Sequence, residues 1–102
     1  MPARLPFDRS ALAALCQRWG IARLEFFGSV LRDDFRPDSD VDLLVTFAPG
    51  VQLGFEFFDL KEDLERIFGR PVDLLTRRTV EASQNPYRRR AILESAETIH
   101  GP

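Results

Sequence analysis

The sequence predicts one α/β domain spanning residues 1–102, a small mixed sheet with helices packed on one face. Three observations carry this. Short runs rich in Val, Leu and Phe alternate with longer segments whose apolar residues recur every three to four positions. Gly or Pro stands at most of the junctions between them. A length of 102 residues with 44% apolar composition and nine Phe suffices for one core of common domain size.

Each element follows from its residues. Asp8 or Ser10 can cap a first helix running to about Trp19, with Ala11, Leu12, Leu15, Cys16 and Trp19 on one face and Gly20 as its stop. "IARLEFF" then predicts a short strand ending at Gly28, and "SVLRDDF" one or two helical turns. In "RPDSD", Pro37 restricts Arg36 to extended conformations and breaks regular structure. "VDLLVTF" reads as a strand, and "APGVQLG" as a loop. "FEFFDLKEDLERIF" spaces Phe57, Leu60, Leu64, Ile67 and Phe68 for an amphipathic helix that Gly69 ends. Pro71–Thr76 gives another strand, and "RRTVEASQN" is irregular or weakly helical. Pro86 suits a first helical position, and a helix from there to about Glu97 buries Ala91, Ile92 and Ala96. The expected order is helix, strand, short helix, strand, helix, strand, helix.

Composition removes several functional classes. A formal charge of −2 argues against direct binding to a nucleic-acid backbone, which needs clustered cations. The single cysteine, Cys16, cannot form an intramolecular disulfide or a Cys-based metal site, which favours a reducing, cytoplasmic setting. No apolar run approaches the roughly 20 residues of a membrane helix, and "MPARLPFDRS" lacks a signal peptide's apolar region.

The chemistry concentrates in "FFGSVLRDDFRPDSDVDLLV", residues 26 to 45. Asp40 and Asp42 head a run that otherwise reads as buried strand. Residues i and i+2 of a strand share a face, so both carboxylates project together, about 5 to 7 Å apart. At that separation two like charges repel by about 3 kcal/mol at an effective dielectric near 20. Either water screens them at a solvated strand start or a cation neutralises them. Paired hard oxygens select Mg²⁺ or a similar divalent ion. Val41 faces the core, so packing holds such a platform still. Asp73, in "PVDLL", is the candidate third ligand if its strand lies beside "VDLLV". Gly28 permits close backbone approach, and the N–H groups after it, with the Ser29 hydroxyl, can hold phosphate oxygens. Arg32 can add a charge-assisted contact to phosphate or pair with Asp33 or Asp38. A calcium loop is excluded because Leu43 and Pro49 stand where it needs Gly and Glu, and no Walker-type motif exists. "YRRR", residues 87 to 90, suits a solvated helix face or an acidic partner surface. Any exposed member of Phe55, Phe57 and Phe58 would mark an interface.

"GSVLRDDFRPDSDVDLLV" resembles the signature of the DNA polymerase β-like nucleotidyltransferase superfamily: Gly-Ser, ten residues, Asp-x-Asp. Gly28–Ser29, residues 30 to 39 and Asp40-Val41-Asp42 match it. The wording resembles the minimal nucleotidyltransferases (MNT domain proteins) in particular, over residues 21 to about 76, and "NPYRRRAILESAETIH" resembles that family's tail. The resemblance implies a polymerase β-like palm fold and transfer of a nucleoside monophosphate, AMP from ATP, to a hydroxyl. It implies that Asp40 and Asp42 bind two Mg²⁺ ions, that Asp73 completes the catalytic ion's site and accepts a proton, and that Gly28, Ser29 and Arg32 hold the nucleotide. It further implies an antitoxin role beside a HEPN-type ribonuclease toxin, neutralised by contact and by adenylylation of a tyrosine. One departure is Leu31-Arg32-Asp33, where many relatives flank the Arg with a small residue and Gly. The chain also lacks the extra domain with which larger relatives hold an acceptor, so recognition falls to a partner or another subunit, making an oligomer conceivable. Two rival readings accompany the enzyme: a catalytically silent binding module of the same fold, and a metal-stabilised fold that uses no NTP.

Overall fold

The computed structural model describes residues 7–28 and 40–101. Within them the chain runs α1 (Arg9–Trp19), β1 (Ile21–Phe27), β2 (Val41–Phe47), α2 (Glu56–Phe68), β3 (Val72–Thr76), α3 (Arg77–Glu81), α4 (Pro86–Ser95) and β4 (Glu97–His100). The helical turns expected in "SVLRDDF" lie outside the described residues.

Local chemistry sets the boundaries. The Asp8 carboxylate accepts from the Ala11 N–H (3.1 Å) and opens α1, and Gly20, at φ 69°, closes it. Gly69 closes α2 in the same left-handed conformation. Thr76 caps α3, so the polar segment expected to be at most weakly helical forms a short helix. Asn85 accepts from the Tyr87 and Arg88 N–H groups and opens α4 with Pro86 in its first turn.

The sheet order is β3-β2-β1-β4. β1 runs antiparallel to β2 and to β4, whereas β2 and β3 are parallel, so the sheet is mixed as expected. β4 corrects the reading of the chain's end. The final helix stops at Ser95, and Glu97–His100 turns back as an edge strand on β1. "ETIH" has one strongly apolar residue, so its pairing with a strand seventy residues earlier left little local signal.

Alternation divides the sheet into two faces. Leu24 and Phe26, Val41, Leu43 and Val45, and Val72 and Leu74 point toward α1 and α2, where Leu12, Leu15, Cys16, Leu60, Leu64 and Phe68 complete the main core. α1 and α2 thus share one face, but α3 and α4 lie on the other, so the helices are not confined to the single face expected. The other face carries a smaller cluster in which Val80 of α3 and Ile92 of α4 cover Phe27 and Leu44. Of the residues expected to be buried in the last helix, Ile92 is buried, Ala96 is partly buried and Ala91 is exposed. Between α1 and α2, the Trp19 Nε1–H donates to Asp63 Oδ2 (3.1 Å). The Val72 N–H donates to Glu65 Oε2 (2.9 Å) and ties α2 to the start of β3.

A paired-carboxylate candidate active site

The β2–β3 ladder matches Val41 with Val72, Asp42 with Asp73 and Leu43 with Leu74. The repeated "VDLL" is therefore a structural repeat: two copies lie side by side, in parallel and in register. Val41 and Leu43 are fully buried on the core face, which sends Asp42 to the opposite face. Register partners on adjacent strands share a face and lie about 4.8 Å apart, so Asp42 and Asp73 are lateral neighbours. The Val41 N–H donates to the Pro71 carbonyl (2.9 Å) and fixes the register at this end. Asp42 is half-buried and Asp73 exposed.

Gly28 forms the third side. It follows β1, whose last residue, Phe27, is paired with Asp42. Its φ is 71°, and a Cβ added there would collide with an Asp42 carboxylate oxygen. Both its conformation and the space beside it demand glycine.

Asp40 is exposed and stands immediately before β2. Among the described residues no three His, Cys, Asp or Glu side chains converge as a metal site. The structure thus brings Asp42 and Asp73 together with Gly28, and does not join Asp40 to them as a tight trio. The donor set still suits a hard divalent cation: adjacent carboxylate oxygens on two strands of a packed sheet, one of them in a glycine-cleared space. Ser29 and Arg32 lie outside the described residues.

Sequence reasoning missed a second feature of this face. Glu25 is 2% exposed, the buried charged residue among those described. The Arg77 Nη1 donates to its Oε1 (2.8 Å), and Arg23 Nε lies 3.5 Å from the same oxygen. Glu25 sits opposite Leu44, one strand repeat from the Phe27–Asp42 pair. This ion pair ties β1 to the segment after β3. In "RLEFF" nothing distinguishes Glu25 from a surface glutamate, and its partner lies far along the chain.

A cleft of about 560 Å³ lies at the far end of β2, lined by Val45 to Leu53 with Phe57, Thr76 and Arg78. It begins where β2 ends and is remote from the strand's carboxylate end. Size alone would make it the binding site; the placement of acidic groups does not. No helix among the described residues is long and apolar enough to cross a membrane.

The fold and the paired carboxylates define a class. The family model described as nucleotidyltransferase domain matches residues 9–99, and the chain belongs to that family. The protein adenylyltransferase MntA of Thermococcus cleftensis is 37% identical over 68 residues, covering 67% of this chain and 68% of that protein. A Methanocaldococcus jannaschii protein, provisionally named a protein adenylyltransferase, is 40% identical over 57 residues, which cover 56% of this chain and 60% of its own. Among solved structures, one provisionally described as a minimal nucleotidyltransferase aligns at a TM-score of 0.65 and 40% identity, covering 86% of this chain and 85% of that one. A chain in a toxin–antitoxin crystal structure with AMP-PNP aligns at a TM-score of 0.68 over 93% of this chain and 74% of its own. At 15% identity that likeness is one of fold.

Proposed function

We propose that the protein is a Mg²⁺-dependent protein adenylyltransferase that acts in the cytoplasm as the antitoxin of a toxin–antitoxin pair. It transfers AMP from ATP to a hydroxyl of a HEPN-type toxin. The observation that carries this is the in-register pairing of Asp42 with Asp73 beside Gly28. The name of the Thermococcus relative and the toxin–antitoxin structures of the same fold support it.

The reaction asks few things of the protein. The acceptor oxygen forms a bond to the α-phosphorus, the bond to the α–β bridging oxygen breaks, and pyrophosphate leaves with that electron pair. Asp73, the more exposed of the pair, takes the proton released by the acceptor hydroxyl. Asp42, held by packing on both sides, and Asp40 ahead of it supply the remaining carboxylates for two divalent ions. Those ions, when bound, offset charge on the attacking and leaving oxygens. Gly28 keeps the space beside Asp42 open, and Ser29 and Arg32 hold phosphate oxygens.

A protein acceptor fits the surface. Phe55 is 89% and Phe58 64% exposed in the first turn of α2 or just before it, and Tyr87 is 86% exposed on α4. Exposed aromatics at one helix end are suited to a partner's surface. The rival reading, neutralisation by contact alone, draws on the same aromatics. Incubation with the protein encoded beside it, Mg²⁺ and labelled ATP separates them. Label on the partner that disappears in Asp42→Asn establishes transfer. Neutralisation that persists in Asp42→Asn with no label in either protein establishes contact alone.

A further inference from the structure

We infer that the cleft between α3 and α4 is the subsite for the nucleobase of the donor nucleotide, an inference that rests on the nucleotidyl-transfer reading above. The cleft lies on the carboxylate face. Leu75, part of its lining, follows Asp73 by two residues in β3, so it points the same way about 6.6 Å further along the strand. Leu44 follows Asp42 in the same manner and carries Val80 and Ile92 above it. A phosphate at the carboxylates and a ring in the cleft are thus separated by one strand repeat, a span a ribose can bridge.

The cleft is built by the α3–α4 hairpin. Thr76 Oγ1 accepts from the Thr79 N–H (3.1 Å), turning the chain back over the sheet directly after β3. Arg89 Nη1 donates to the Ser83 carbonyl (3.1 Å) and holds the connection against α4. The space between is about 140 Å³. Sites that engulf whole ligands run to about 300 Å³ or more, so this one takes a fragment, a flat ring system.

Its chemistry matches a base better than a phosphate. Leu75, Val80 and Ile92 form an apolar floor and wall; Thr79, whose Oγ1 accepts from the Thr76 hydroxyl (2.6 Å), and Ser83, whose Oγ accepts from the Asn85 N–H (3.3 Å), each keep an O–H to donate to a ring edge. Arg88 is exposed at the mouth, where a planar guanidinium can stack on a ring. Arg89, the other cation, is already engaged by the Ser83 carbonyl. Among the described residues no carboxylate lines the cleft, so nothing there recommends a cation.

Isothermal titration calorimetry with Mg–ATP and Mg–tripolyphosphate tests this on the full chain. Wild type should bind ATP at least about tenfold more tightly than tripolyphosphate, the scale of one stacked base. Ser83→Trp, which fills the cleft, should remove most of that ratio and leave tripolyphosphate binding unchanged. Arg88→Ala, at an exposed position that folding does not need, should weaken ATP about fivefold and spare tripolyphosphate. Equal wild-type affinity for both ligands, a wild-type ratio in both variants, or an equal loss of both ligands in Arg88→Ala overturns the base subsite while leaving nucleotidyl transfer intact. Failure of wild type to bind either ligand overturns the function proposed above and this subsite with it.

Discussion

A Cβ on Gly28 would occupy the place of an Asp42 carboxylate oxygen. A residue just past β1 and one within β2 therefore share one small volume, and only the absence of a side chain at one lets the other sit there. Gly28→Ala should act in two ways. The left-handed conformation costs an alanine about 1 kcal/mol, and the displaced carboxylate costs the site its geometry. Gly28→Asn separates the two effects, because asparagine tolerates positive φ but still carries a Cβ. Urea denaturation should place Gly28→Asn closer to wild type than Gly28→Ala, while both lose AMP transfer by tenfold or more on the scale of a disturbed catalytic position. Full transfer by Gly28→Ala would contradict the shared-volume relationship.

The Asp42–Asp73 register pair predicts a metal-dependent stability difference. Like charges side by side on a sheet are unfavourable by some tenths of a kcal/mol to about 1 kcal/mol. Without divalent ions, Asp73→Asn should therefore melt at or slightly above wild type. Mg²⁺ at about tenfold its dissociation constant should raise the wild-type Tm by about 5 °C and leave Asp42→Asn and Asp73→Asn nearly unmoved. An identical Mg²⁺ shift in all three proteins, followed by differential scanning fluorimetry, would count against the pair as cation ligands.

Glu25 and Arg77 predict a cost that depends on which partner is lost. Arg77→Met leaves the carboxylate of a 2%-exposed residue with Arg23 as its remaining cation, at 3.5 Å. Breaking such a pair from one side costs about 3 kcal/mol. The double variant Glu25→Leu/Arg77→Met removes both charges and should recover most of that loss. Chemical denaturation of the two single variants and the double variant measures the coupling, and additive losses would mean the ion pair is not coupled in the folded state.

Cys16 predicts a pH dependence above neutrality. Burial pushes its thiol up from 9.0 to about 11, because the charged thiolate loses its hydration in the core. The folded state therefore holds this proton while the unfolded chain releases it near pH 9. Between about pH 9 and 11 the unfolded state binds fewer protons, so stability falls as pH rises, by roughly 2–3 kcal/mol over the full window. Cys16→Ala should flatten that part of the curve, at the cost of some packing at all pH values. A slope unchanged in Cys16→Ala would assign the alkaline loss elsewhere.

What the sequence disclosed follows from how local each signal is. Gly20 and Gly69 mark helix ends through their own backbone, and both stand where periodicity stops. "VDLLV" declares its faces by alternation, so the sequence alone aims Asp42 away from the core. The partnership of Asp42 with Asp73 was readable because the second "VDLL" carries the same pattern, although only the ladder gives the register. β4 was hidden because its pairing with β1 depends on a distant strand and its own residues are mostly polar. Glu25 was hidden for the same reason, since burial of a charge becomes legible only when Arg77 arrives beside it. The α3–α4 cleft depends on a hairpin whose first helix had only a weak local signal.

Phe55 and Phe58 predict a separation of binding from folding. Both are exposed, whereas Phe57 between them packs against the main core. They are flanked by Glu56 and Asp59, also exposed, so the first turn of α2 offers apolar rings inside an acidic rim. The backbone N–H groups of Glu56 itself and of Gly54 hold the Glu56 carboxyl below its usual range. A partner surface with an apolar pocket and basic edges would fit. Phe55→Ser/Phe58→Ser should leave the thermal midpoint within about 2 °C of wild type, because exposed positions contribute little to folding. The same change should weaken capture of the partner by about tenfold or more, the scale of losing two interfacial aromatics. Phe57→Ser should reverse the pattern, lowering stability by about 2 kcal/mol or more. Partner binding that is unaffected by the Phe55/Phe58 pair would move the interface to another surface, with Tyr87 on α4 the next to test.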